Sequence, residues 1–199
     1  MKEFGLLITC VLAAASSLAA QTMPELRSEL LQMVDRDQKA RDACGAGTTD
    51  DQMKCFMRAG EEVDRPNTKR INEIFAQLGF PTVVLVGSDG VKAFILLMQH
   101  SGDIPLRKKS QAGMKKAFNA RVISVSEYTT LIDRLLVHQG KPQIYGSNFE
   151  MKDGRLVMSP AKDLKKLDKR RKKIGLPPIA DYVKMLKDAY NFEVVAPTP

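Results

Sequence analysis

Ser88-Asp89-Gly90-Val91-Lys92-Ala93-Phe94-Ile95-Leu96-Leu97-Met98-Gln99-His100 is the most apolar helical stretch of the chain. Ser88 or Asp89 supplies a helix cap. Val91, Phe94, Ile95, Leu97 and Met98 then make the helix apolar on nearly all sides, and such a helix belongs at the centre of a domain. The polar pair Gln99-His100 ends it.

The neighbours read outward from that centre. Upstream, Pro81 to Val86 is a short β-branched piece expected to be extended. Before it, Ile71, Ile74, Phe75 and Leu78 stand at helical spacing after Asp64, with Gly79 and Pro81 as the stop. Asp50 or Asp51 starts a short helix with Met53, Phe56 and Met57. Pro24 to Arg41 is the first helix, capped by Thr22 or Met23, with Leu26, Leu30, Met33 and Val34 as its buried stripe. Downstream, Ile104 to Ala120 reads as one amphipathic helix. Ser124-Val125-Ser126-Glu127 is a capping box that opens a helix closed by Gly140.

The pattern then changes. Gln143 to Phe149 alternates, Asp153-Gly154 signals a turn, and Arg155 to Met158 is a return strand. Asp163 is expected to cap a basic helix closed by Gly175, and Pro177-Pro178 opens the last helix. The expectation is an α+β, predominantly α-helical single domain of about seven helices with one small β-hairpin, over 21–190. Residues 191–199 are expected to form a flexible tail.

Residues 1–20 read as a cleavable signal peptide: Lys2, an apolar run from Leu6 to Ala15, then small residues to Ala20. The run is shorter than the about 20 apolar residues of a span. No later stretch reads as a span either, so the expectation is an exported protein, periplasmic or secreted, with no transmembrane segment after cleavage. Cys44 and Cys55 then remain, and in an oxidising compartment a structural disulfide is the favoured reading over a metal site. The net charge of +8 is concentrated in Lys162, Lys165, Lys166, Lys169, Arg170, Arg171, Lys172 and Lys173. With no interleaved aromatics and an export signal, nucleic acid is not expected as a partner. A solvated helix face is the favoured reading, and weak attraction to an anionic envelope surface is second.

No catalytic signature is present: no nucleophile elbow, no H-E-x-x-H, no phosphate-binding glycine loop. Two histidines, His100 and His138, exclude a histidine-rich metal site. One His with several carboxylates stays open, but no spacing points to such a site, and the cofactor is unknown. What carries information is polar residues where a helical core prefers apolar ones: Asp37, Gln38 and Arg41; Gln99 and His100; Asp133 and Arg134; Gln143, Tyr145, Ser147 and Asn148.

These stretches resemble the bacterial domain-of-unknown-function family 6624. The matching segments are Asp37-Gln38 with Arg41, Asp64 and Asn67, Gly79-Phe80-Pro81-Thr82, Val86-Gly87, Gln99-His100 and Asp133-Arg134. Gln143 to Asn148, Asp168 to Arg171, Gly175 to Pro178 and Tyr182 follow. The chain departs from the family at Phe80, usually Trp, and at Ser101-Gly102-Asp103, usually Ala-Asp. The resemblance implies no reaction. Two functions are therefore weighed. In one, Asp37, Gln38, Arg41, Gln99, His100, Gln143 and Tyr145 bind a small polar or peptide-like ligand. In the other, a hydrolase or lyase uses His100 as general acid or base, oriented by Asp133 or Asp37, with Arg134 or Arg41 neutralising negative charge. The second requires a carboxylate within hydrogen-bond reach of His100. Against both stands a purely structural role for each residue.

Overall fold

The computed structural model describes residues 22–45, 49–190 and 193–197. The expected signal segment, 1–20, lies outside them. The chain is a predominantly helical α+β fold built in two parts, a helical body and a small sheet with its own packing.

Helix α1 (Pro24–Asp42) begins at a proline, whose missing N–H is an orphan in the first turn anyway. Its buried residues Leu26, Leu30 and Met33 recur every three or four positions and lie on α4 (Val83–His100), the central helix. Between them in sequence come α2 (Thr49–Ala59), one π-helical turn (Gly60–Asp64) and α3 (Arg65–Leu78). Ile71 and Ile74 of α3 and Phe94, Leu97 and Met98 of α4 are almost completely buried in one core. Each such side chain contributes about 1.5–3 kcal/mol by leaving water. Cys44 and Cys55 are joined as a disulfide that ties the end of α1 to α2.

The segment expected to be extended, Pro81 to Val86, is helical from Val83 on, and only its first residues stay outside the helix, with Thr82 at φ −102° and ψ 161°. The Thr82 hydroxyl accepts from the Leu85 N–H as an N-cap, and this local bonding outweighs the β-branched preference of Val83 and Val84. Gly87, at φ 73° and ψ 169°, breaks the helix before it resumes to His100. The Thr22 and Met23 N–H groups donate to the Val84 and Leu85 carbonyls near that break. By length and composition α4 is, among the described residues, the one helix able to cross a membrane. Here it is the core helix, with Val86, Val91, Phe94, Leu97 and Met98 at most 1% exposed. Phe80 packs edge-on to Phe94 at 5.6 Å between centroids. Gly113 makes room for that ring, because a Cβ there would lie 2.1 Å from Phe80 Cγ.

The helix expected over 104–120 is two. Buried Ser110 separates α5 (Ile104–Lys109) from α6 (Gln111–Asn119). The bend lets Arg107 reach the end of α4 while Met114 and Ala117 return to the core. Helix α7 (Val125–His138) opens with the capping box read from sequence.

In the second part, β1 (Phe149–Lys152) and β2 (Arg155–Met158) form the hairpin, with Phe149 opposite Met158. Residues 143–148, expected as strand, form a loop instead. The tail is not all loose: β3 (Val194–Val195) pairs parallel with β2, Leu156 N–H donates to Glu193, and Val194 is buried. An unpaired edge of β2 gives those residues ladder partners that a lone tail lacks. Met158, Leu167 and Ile179 form the second core, under α8 (Leu167–Ile174) and α9 (Ile179–Tyr190). Asp163 does not cap through its side chain; it stands at φ 40°, one 3-10 turn before α8.

Candidate functional site

Three apolar stripes turn polar at one end of the helical body. On α1 the buried positions 26, 30 and 33 are followed by Asp37; on α3 the positions 74 and 71 are preceded by Asn67; α4 ends in His100. Asp64 closes the π turn just before α3. Single π turns occur often at functional sites, because the extra residue re-aims side chains.

There the side chains meet. His100 Nδ1 lies 2.9 Å from both carboxylate oxygens of Asp37. The Arg41 Nε–H lies 3.1 Å from the same Nδ1. Arg41 Nη2 donates to Asp64 Oδ1 at 2.6 Å and reaches Asp37 Oδ1 at 3.3 Å. Gln38 Nε2 donates to Asp37 Oδ2 at 2.7 Å. Asp37 is fully buried, while His100 and Arg41 each keep 22% of their side-chain surface open. His100 Nε2 has no hydrogen-bond partner among the described residues.

The arrangement is not self-sufficient. A ring nitrogen offers either one proton or one lone pair. If Nδ1 carries the proton it serves Asp37 and opposes the Arg41 N–H; if bare, it serves Arg41 and opposes the carboxylate. Two carboxylates against one guanidinium also leave a net charge of −1 while the imidazole is neutral. The two acids are pushed apart. For Asp37, burial raises the pKa, but the His100 hydrogen bond, the charge His100 carries when protonated, the Gln38 hydrogen bond and the Arg41 charge together hold it below the usual range. For Asp64, burial dominates, the Asp37 charge adds to it, and its pKa is raised.

Arg107 supports the site from below. It is buried, and it donates to the Met98 carbonyl at 3.2 Å and to the Gln99 carbonyl, capping the C-terminus of α4 with positive charge. Burial lowers its pKa, with Arg134 adding repulsion. Gln99 thus contributes its backbone carbonyl. Arg107 was missed in the sequence, since nothing marks one arginine of a basic helix as inward. Asp64 and Asn67 stood in the sequence only as family positions, and Asp64 read as the residue ahead of a helix. Asp103, which follows His100 closely in sequence, accepts from Leu106 N–H and Asn72 instead.

The remaining expected site residues lie elsewhere. Asp133 shares no bond with His100 among the described residues. It accepts from the backbone N–H groups of Ile144, Tyr145 and Ser147 and from the Ser147 hydroxyl, at 2.7 to 3.1 Å. Gln143 is fully buried and clips the same loop to Asn148 and Ser159. Arg171, expected on a solvated face, is 1% exposed: it donates to the Tyr145 and Pro177 carbonyls and stacks over Tyr182 at 5.1 Å. Arg170 holds the Ile144 carbonyl. The lysines of that segment are exposed. Tyr145 lines a shallow cavity of about 280 Å³ with Ile144 and Arg170. A more apolar cavity of about 510 Å³, between Phe75, Phe80, Val84 and Val122, shares no residue with the His100 cluster.

A family of unknown function, DUF6624, matches residues 24–195. No curated protein and no solved structure matches the chain.

Proposed function

The chain belongs to DUF6624, which names no reaction, and we propose from its site that it is an exported domain binding a small polar ligand at Asp37, Arg41, Asp64 and His100. The observation that carries this is the unsatisfied state of the cluster. Four polar side chains are gathered at the end of a helical core. They share one contested nitrogen, leave a net charge while the imidazole is neutral, and leave His100 Nε2 without a hydrogen-bond partner among the described residues, on a side chain 22% exposed. Burying such a group costs stability unless partners complete it, and a ligand is the missing partner. Export rests on the signal-like residues 1–20 and on the Cys44–Cys55 disulfide, which persists in oxidising compartments. N-terminal sequencing of protein recovered from the cell envelope tests it; an uncut Met1 on cytoplasmic protein sinks it.

The Asp37–His100 contact favours a second reading, hydrolase or lyase activity. A carboxylate at Nδ1 fixes the ring and leaves Nε2 as acid or base. Separated carboxylate pKa values mark acid and base roles in known sites. In that reading Asp37 stays ionised behind His100, while Asp64 is the more readily protonated acid.

A thermal-shift screen tests the binding reading, comparing the protein with its His100→Ala variant against sugars, peptidoglycan fragments, nucleotides and peptides. Binding to the folded state raises the melting temperature by mass action, about 2.7 kcal/mol at one hundred times Kd. A shift lost in the folded variant supports the reading and supplies a substrate class for turnover assays. No shift with any class, alongside a variant that merely melts lower, makes His100 structural.

A further inference from the structure

We propose that Asp37, Asp64 and His100 bind a divalent first-row transition-metal ion, with Arg41 turning away as the ion enters. The inference rests on the ligand site just proposed and names what occupies its centre. One ligand atom from each residue, a ring nitrogen of His100 and a carboxylate oxygen of each acid, lies within 4.8 Å of the other two. Zinc bonds of about 2.0–2.1 Å bring neighbouring ligands to roughly 3.3 Å apart, a contraction within reach of side-chain rotation. His100 Nδ1 and Asp37 are already 2.9 Å apart.

A cation already touches all three residues in the structure: the Arg41 guanidinium, bonded to Asp64, near Asp37 and pointing Nε–H at Nδ1. It satisfies the site poorly. With a neutral imidazole it leaves a net charge of −1, and it leaves the contest at Nδ1. A divalent ion answers both, because the bare Nδ1 lone pair and the two carboxylates all converge on it and the charges cancel. Arg41 keeps 22% of its side-chain surface exposed, which gives the released guanidinium access to solvent.

A second, independent observation comes from Asn67. It is 7% exposed, one turn beyond Asp64, and its amide nitrogen has no hydrogen-bond partner among the described residues. Buried donors are rarely left this way. A water or substrate oxygen carried on the ion beside Asp64 is an acceptor for it. The class of ion follows from the ligands. Imidazole nitrogen with carboxylate oxygens suits zinc, manganese or iron, whereas calcium and magnesium take oxygen sets. Three protein ligands leave positions open for water or for the polar ligand.

The test uses protein expressed from the whole 199-residue sequence and freed of metal by chelator dialysis. Zinc and manganese are titrated by calorimetry, and cobalt is followed by its visible absorption as a report on nitrogen–oxygen ligation. Magnesium and calcium serve as contrasts. The expected result is one ion per chain, with zinc or manganese at least about 10-fold tighter than magnesium. His100→Gln and Asp64→Asn should weaken binding about 100-fold or more, as loss of a direct ligand must exceed the 10–100-fold cost of losing an outer-shell partner. Arg41→Gln is the discriminating variant, with circular dichroism confirming its fold: removal of the competing cation should tighten zinc about 10-fold. Absence of binding in both wild type and a folded Arg41→Gln overturns the inference, as does binding unchanged in His100→Gln. If the metals fail while a polar ligand still gives a His100-dependent shift, the ion is wrong and the ligand site stands. If both fail, so does the site.

Discussion

Asp37 and Asp133 are both completely buried carboxylates on long helices, yet their surroundings differ. Asp133 is met by four donors from one loop, three of them backbone N–H groups that have no other charge to serve. The loop 143–148 folds over it and is held from the far side by Gln143, Arg170 and Arg171. Asp37 is met by side chains instead: a histidine, an arginine shared with a second acid, and a glutamine. Backbone donors fix a shape, because they cannot move without unfolding the loop. Side-chain donors can rotate and exchange partners. The comparison teaches that burial of charge does not itself mark function; the kind of partner does.

Replacing Asp133 by alanine should break the first half of that contrast with the largest effect, about 4 kcal/mol of stability. It strands several buried N–H donors at once. Urea unfolding gives the number, and a loss below about 1 kcal/mol would show the loop is held by something else. Reduction of Cys44–Cys55 bears on the helical side. The bridge closes a loop with a sequence separation of 11, so opening it should cost about 3 kcal/mol, seen as a lower melting temperature in dithiothreitol. An unchanged melt would mean the α1–α2 junction is held without it.

Asp37→Asn sharpens the second half. The amide keeps its shape and still accepts hydrogen bonds, while the cluster's net charge goes from −1 to zero. That relief, present while the imidazole is neutral, is set against the loss of a carboxylate whose depressed pKa stabilises the fold at pH 7, so stability should fall, by less than about 1 kcal/mol. A loss comparable to that of Asp133→Ala would make the two acids alike and end the comparison.

The smallest effect is expected at Glu29, a surface control for both. Its pKa is held below the ordinary value, first by the hydrogen bond from Arg70 at 2.5 Å. A depressed acid contributes stability above its unfolded pKa, about 4.3, and loses it as pH falls through the folded value. Glu29→Gln should cost under about 1 kcal/mol at pH 7 and nothing once wild-type Glu29 is protonated. Paired unfolding curves at pH 7 and pH 3 check this; an equal difference at both would remove the ion pair as its cause.

The legible parts were those governed by local rules. The central helix, the buried stripe of α1, the capping box at Ser124 and the Asp153-Gly154 turn each follow from periodicity or from backbone chemistry within a few residues. What failed locally failed for tertiary reasons. Val83 and Val84 turn helical where the distant 22–23 segment bonds the Val84 and Leu85 carbonyls, beside the local Thr82 cap. Val194 becomes a strand because β2 offers an edge. Arg171, one of eight cations between Lys162 and Lys173, is drawn inward by the Tyr145 carbonyl 26 residues earlier.

The sequence by itself determined a mostly helical body, a later hairpin, a cysteine pair fit for a disulfide, and a set of polar residues out of place in a core. It could name His100, Asp37, Arg41 and Asp133, because a polar residue breaking an apolar stripe is visible one helix at a time. Only the tertiary structure decided that His100 meets Asp37 and not Asp133. Those contacts span 59 to 63 residues, and helical periodicity gives the face of each helix but not which faces meet. Asp64 joined the cluster for the same reason: a π turn re-aimed it, and no spacing along the chain announces that.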